Sequence, residues 1–243
     1  GATSVSWNAA GGCEAPVYRE LNGVKGSLFA EGGRDRSDRH TTEMYVRCRR
    51  CDDCLIARAR YWATMIRLEA DMATRTWFGT LTMRPAEHFV ALEKARLRLN
   101  RAGTPIETLT PSELFKARER ATYPDFARFM KRVRKESGAA LRYCLVAERH
   151  KSGLPHWHMV LHEIGDIPVR HACLNRQWRL GFSTWKLVDI NDHAKSAYYV
   201  SKYLSKAVEA RVRASQHYGN DLRRSVNVEA PGGGLDPLRR SIF

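Results

Sequence analysis

Residues 141–163 read LRYCLVAERHKSGLPHWHMVLHE. Two runs rich in apolar and β-branched residues, LRYCLVAERH and HWHMVLHE, flank a Gly- and Pro-containing turn, which predicts an antiparallel hairpin. On the returning strand, alternation puts His156, His158 and His162 on one face and Trp157, Met159 and Leu161 on the other. The apolar face is expected to pack on helices and to leave the imidazoles together on the opposite surface. His162 is expected at the surface or just behind the other two. Glu148 closes the outgoing strand, and a short hairpin brings its carboxylate beside the histidines. Two imidazoles and a carboxylate form a mixed site for a divalent cation, with positions left for phosphate and water. Paired histidines also occur on inert surfaces, and the pair by itself leaves that reading open.

The pattern extends outward from the hairpin. WFGTLTM (77–83) reads as a strand with Phe78, Thr80 and Thr82 on one side and Trp77, Gly79 and Leu81 on the other. LIARARYWATMIRLEADMA (55–73) suits an amphipathic helix through Leu55, Trp62, Ile66 and Leu68. Residues 84–122 are charged and helical, with TPSE (110–113) as a capping box carrying Pro at the first helical position. YPDFARFMKRVRKESG (123–138) reads as a separate helix, begun after Pro124 and stopped at Gly138. RHACLNRQWRLG is expected as helix, FSTWKLVDI as strand, and HAKSAYYVSKYLSKAVEARV (193–212) as a long helix. The first 44 residues, rich in Gly, Ser and Arg, read as an irregular arm, and EAPGGGLDPLRRSIF (229–243) as a loose basic tail. The order of elements predicts an α+β fold with helices packed on a largely antiparallel sheet. The expected divisions are 1–70 for the arm with its cysteine-rich segment, 71–210 for the main domain, and 211–243 for the tail.

Within AYYVSKYLSK (197–206), helical spacing sets Tyr199 and Tyr203 about 40° apart. Lys206 falls about 20° from Tyr199, and Lys202 about 60° to its other side. Tyrosines four apart commonly form a buried stripe. Two lysines on the same face fit a core stripe poorly and suit a face that meets phosphate. Tyr198 lies about 100° away and reads as packing.

Composition narrows the partner. The 243 residues carry 41 Lys and Arg against 26 Asp and Glu, a formal charge of +15, which favours polyanions and nucleic acid first among them. No long apolar run is present, and Gly1–Ala10 carries neither a basic region nor an apolar one, so a cytoplasmic location is expected. Of six cysteines, Cys48, Cys51 and Cys54 stand in CRRCDDC, too tight for a disulfide framework and spaced as metal ligands. A closed zinc site needs four ligands; Cys13 is the expected fourth, with His40 as the alternative. An iron–sulfur cluster is the other option. Cys144 and Cys173 read as core residues. Arg47, Arg49, Arg50, Arg58 and Arg60 surround the cluster and could grip a nucleic-acid backbone.

The strand FGTLT, then His-hydrophobic-His in HWH, then Tyr-x-x-x-Tyr within YVSKYLSK resemble, in order, the three motifs of the HUH endonucleases. The last looks most like the two-tyrosine rolling-circle initiators of microviruses, small single-stranded DNA bacteriophages. CRRCDDCLIARARYWATMIRLE resembles their cysteine-rich N-terminal segment, and together the matches span residues 48–206. The resemblance implies an HUH, ferredoxin-like palm over 71–210. It implies Mg²⁺ or Mn²⁺ on His156 and His158, with Glu148 as third ligand, and Zn²⁺ on the cysteines. Tyr199 or Tyr203 would attack a scissile phosphate, forming a 5′-phosphotyrosine and a free 3′-OH. Lys202 and Lys206 would steady phenolate or phosphate, and Thr80 and Thr82 would support the site or touch DNA. Implied partners are a single-stranded origin and the host helicase and polymerase, because 243 residues leave no room for a helicase domain. Two other readings stay open. One is a related two-tyrosine transposase or plasmid initiator. The other is a non-catalytic zinc-containing nucleic-acid-binding protein whose tyrosines stack on bases.

Overall fold

The computed structural model describes residues 7–8, 12–24, 39–189 and 211–219. Contacts group the chain into one compact unit of residues 1–57 with 229–243, and a second of 58–228.

In the first unit, β1 (Trp7–Asn8), β2 (Val17–Val24) and β3 (Arg39–Val46) form a three-stranded sheet in the order β1-β3-β2. The expected irregular arm is therefore partly β-structure. β2 and β3 pair over eight residues, from Val17 opposite Val46 to Val24 opposite Arg39. Tyr18 and Tyr45 face each other across that ladder with ring centroids 5.7 Å apart. Backbone pairing and this cross-strand contact organise a segment whose apolar residues show no clean period. Helix α1 (Asp52–Met72) follows.

The second unit is built on a five-stranded antiparallel sheet. Its strands are β4 (Arg75–Met83), β5 (Leu141–Arg149), β6 (Pro155–Glu163), β7 (Gly181–Val188) and β8 (Arg211–Ala214), in the order β7-β4-β6-β5-β8. Helices α2 (Pro85–Arg101), α3 (Pro111–Ser137) and α4 (His171–Gln177) complete it, with one 3₁₀ turn at Ile106–Thr108. The α+β class and the antiparallel sheet match the reading of the sequence.

The sheet separates two cores. Trp77, Leu81, Trp157, Met159 and Leu161 point to one side, where they meet Phe115, Phe126, Phe129 and Val133 of α3 and Leu174 of α4. Val146 and Val160 point to the other side, against Ala59, Met65 and Ile66 of α1 and against Tyr218. The histidine face is thus half covered by α1, and the expectation of an open imidazole surface needs correction. His162 lies within this second layer and is 0% exposed. Its Nδ1 is 3.0 Å from the Thr76 hydroxyl and its Nε2 is 2.7 Å from the Tyr218 hydroxyl. It is a buried, hydrogen-bonded side chain and not a surface group, because a buried imidazole needs both nitrogens satisfied and two hydroxyls do so.

Helix α3 also departs from expectation. Thr110 caps it and exchanges the predicted capping-box bonds with Glu113, but the helix runs unbroken through Pro124 to Gly138, which closes it at φ 71°. Buried Phe115, Glu119, Thr122, Phe126, Phe129 and Val133 form one continuous stripe across the proline. Pro124 lies on the exposed face, where water can satisfy the carbonyl that its missing N–H leaves behind. At the other boundary, Arg211 and Val212 belong to β8 and not to the predicted helix. β8 is held by pairing to β5, and Arg213 makes a bidentate ion pair with buried Glu119 while lying 4.3 Å over the Tyr123 ring.

Candidate metal centre

The site is assembled by the β5–β6 hairpin. His150 N–H donates to Leu154 O (2.9 Å) and Gly153 adopts φ 79°, a conformation a glycine accepts without strain. The tight loop fixes the register, so Glu148 stands opposite His156 and Val146 opposite His158. The three side chains then converge. The Nε2 atoms of His156 and His158 are 2.9 Å apart, and Glu148 Oε2 lies 3.2 Å from His158 Nε2 and 3.5 Å from His156 Nε2. Two ligand atoms about 2.1 Å from one cation and at right angles stand about 3.0 Å apart. Glu148, His156 and His158 therefore fit a single divalent ion with an N₂O donor set.

Neighbours aim these groups. The strand register puts Thr80 of β4 opposite His158, and its hydroxyl is 3.3 Å from His158 Nδ1. That contact leaves the Nε2 lone pair for a metal when Nδ1 carries the proton. The Phe78 ring stacks on the His158 ring with centroids 6.0 Å apart and planes 14° from parallel. His150 meets His156 edge-on at 5.8 Å. Burial, and secondarily the nearby His150, hold His156 below its ordinary pKa, which keeps it neutral and able to ligate. The Glu148 and His156 side chains stay 20% and 21% exposed, so the site opens to solvent on one side. Phe78 and His150 were not singled out from the sequence. Alternation does put Phe78 on the face of Thr80, but His150 is brought in by the turn. Thr82, expected at the same place, donates to Phe182 O at 3.1 Å and serves the sheet edge.

A second cluster lies in the other unit. The sulfur atoms of Cys13, Cys48, Cys51 and Cys54 all fall within 4.8 Å of one another. Cys48 Sγ is 3.9 Å from Cys54 Sγ, and Cys51 Sγ is 3.9 Å from Cys13 Sγ. Four sulfurs about 2.3 Å from a common centre stand about 3.8 Å apart, so the set fits a tetrahedral thiolate site. Arg49 takes φ 63°, which turns the chain so that the N–H groups of Arg50 and Cys51 point at Cys48 Sγ at 3.4 and 3.3 Å. Those bonds lower the Cys48 thiol to about 6, the Cys51 N–H first and the Arg50 N–H next. Burial pushes Cys54 up to about 12, a cost that a bound cation reverses. His40, the alternative ligand, lies in β3 opposite Gly23.

The remaining candidates are placed as follows. Arg49 and Arg50 are exposed, as is Arg60, while Arg58 is half-buried and beside Arg211, an environment that lowers its pKa. Cys144 and Cys173 are buried core residues, as read from the sequence. Tyr198, Tyr199, Lys202, Tyr203 and Lys206 lie outside the described residues. Among the described residues, no helix is long and apolar enough to cross a membrane.

A family model of replication-associated proteins of the ORF2 type matches residues 76–208. No curated protein and no solved structure matches the chain. The matched span covers more than half of the sequence and takes in β4, the whole β5–β6 hairpin with Glu148, His156 and His158, and the tyrosine segment. This chain therefore belongs to the ORF2-type family of replication-associated proteins.

Proposed function

We propose that this protein initiates rolling-circle replication as a two-tyrosine HUH endonuclease of the microvirus type, nicking and rejoining single-stranded DNA at an origin. The observation that carries the reading is the convergence of Glu148, His156 and His158 on one point at the open end of the hairpin. A divalent cation there, Mg²⁺ or Mn²⁺, would supply Lewis-acid polarisation of the scissile phosphate. The chain's own groups do the rest. Thr80 and Phe78 hold the His158 ring in place. Tyr199 or Tyr203 forms a bond from its phenolic oxygen to phosphorus as the bond to the 3′ oxygen breaks. That oxygen takes up a proton and leaves as a 3′-OH, while the downstream strand stays on the enzyme as a 5′-phosphotyrosine. Lys202 and Lys206 favour the phenolate and hold phosphate.

The freed 3′-OH primes a host polymerase behind a host helicase in the bacterial cytoplasm. The second tyrosine cuts the regenerated junction, and the new 3′-OH attacks the first link, closing a circle and restoring the phenol. Topology supports this use of the tyrosine segment. Val188, before it, pairs with Thr76, and Arg211, after it, pairs with Ala147 at the opposite sheet edge. The chain between them must cross four strand spacings, about 19 Å, and move roughly 17 Å along the strands, a diagonal of about 25 Å. A helix over 193–210 would be about 27 Å long and would carry Tyr199 and Tyr203 past the central strands. The four cysteines hold zinc in a closed structural site, and Arg49 and Arg50 on its knuckle meet DNA backbone.

The test is adduct formation on a randomised single-stranded DNA pool with Mn²⁺, read on a denaturing gel. Wild type is expected to form a covalent adduct, Tyr199→Phe and Tyr203→Phe each to reduce it, and the double variant to abolish it. An adduct persisting in the double variant refutes the nucleophile assignment. No adduct from wild type favours the non-catalytic binding protein.

A further inference from the structure

The face that carries Glu148, His156 and His158 continues across β4 onto edge strand β7. Thr80 stands between His158 on β6 and Thr184 on β7, and Thr82 stands opposite Phe182. Extending the pairing of Leu81 with Trp157 by one residue sets Thr82 beside His156. One row thus runs Glu148, His156, Thr82, Phe182, with Phe182 two strand spacings, about 10 Å, from His156. Lys186 lies further along β7 on the same side, opposite Phe78.

Phe182 is 75% exposed, although its backbone is firmly held. The Thr82 hydroxyl donates to the Phe182 carbonyl at 3.1 Å. The Trp178 indole N–H donates to Thr82 O at 2.8 Å, and Arg84 N–H to Leu180 O at 2.9 Å. Gly181 packs so closely that a Cβ there would collide with Thr82 O. An aromatic ring on a rigid mount, facing water beside a phosphate site on a strongly basic protein, is the arrangement of a base-stacking platform.

We propose that Phe182 stacks on a base of single-stranded DNA next to the phosphate held at Glu148, His156 and His158, and so sets which phosphate is presented. The proposal rests on the nicking function above. Stacking needs a base and not only a charged backbone, whereas Lys186 and the arginines need only phosphate.

The test compares a labelled dT20 oligonucleotide with a 20-residue abasic strand of the same charge, by fluorescence anisotropy at fixed salt. Phe182→Ala is expected to weaken dT20 binding roughly 5- to 100-fold. It should leave abasic-strand binding unchanged, and Phe182→Trp should restore the dT20 affinity. Equal binding of dT20 by wild type and Phe182→Ala overturns the proposal. So does a parallel loss on both strands, or failure of wild type to prefer dT20. The nicking function is read separately, from Mn²⁺-dependent adduct formation by wild type against His156→Ala/His158→Ala. Loss of that difference with the base-dependent Phe182 effect intact would refute the nicking function alone.

Discussion

The two candidate metal centres are built by opposite means. In the cysteine cluster, three ligands come from seven consecutive residues, and Arg50 and Cys51 N–H groups are turned onto Cys48 before the fourth sulfur arrives from Cys13. Four soft donors close the tetrahedron and leave no position for a substrate. In the sheet centre, three hard or borderline donors come from two strands held by a hairpin and by a neighbouring strand, and one side faces solvent. A closed set holds a structure together, and an open one leaves room for phosphate. The sheet centre therefore depends on the fold, while the fold around the cysteines depends on its metal.

Breaking the closed site should produce the largest effect. Cys48→Ser, or removal of the metal with a strong chelator, forfeits binding free energy on the order of 10 kcal/mol. Tightly held zinc should fall from one per chain to none, and proteases should then cut within residues 12–57. Cys144→Ser should leave the zinc content alone, since Cys144 is buried away from the cluster. Next comes the open site. His156→Ala/His158→Ala should cost several kcal/mol in the cleavage step, on the order of 10³-fold. The circular dichroism spectrum should stay that of wild type. A matching collapse of the fold would show the histidines to be structural.

A smaller effect sharpens the dependence of the sheet centre on packing. A Cβ at Gly79 would stand 2.5 Å from the Trp185 ring, so Gly79→Ala should destabilise by about 1–3 kcal/mol in urea unfolding. The smallest concerns ligand orientation. Thr80→Val removes the hydroxyl beside His158 Nδ1 and should weaken Mn²⁺ binding about 10-fold without changing its stoichiometry.

The hairpin was legible in the sequence because strand alternation and a Gly/Pro turn are local signals. They placed Glu148 opposite His156 and set Trp157, Met159 and Leu161 on the helix side. The capping box at Thr110 and Glu113 was legible for the same reason. What escaped depends on distant partners. His162 is buried by Thr76 and Tyr218, 86 and 56 residues away, and nothing near it in sequence announces this. Pro124 reads as a helix start by its backbone chemistry, yet the apolar stripe from Phe115 to Val133 carries the helix through it. The ladder of β2 and β3 has its support in pairing, which residue periodicity does not display. Phe182 looked like an ordinary strand residue until the sheet order put it at an edge in line with His156.

The central claim is that Glu148, His156 and His158 hold one catalytic cation. It is tested most directly by titrating Mn²⁺ into zinc-loaded protein and counting bound ions by electron paramagnetic resonance, alongside adduct formation. The account predicts one Mn²⁺ per chain for wild type, and loss of both the ion and the adduct in Glu148→Ala, His156→Ala and His158→Ala. Unchanged Mn²⁺ stoichiometry in the three variants would contradict it.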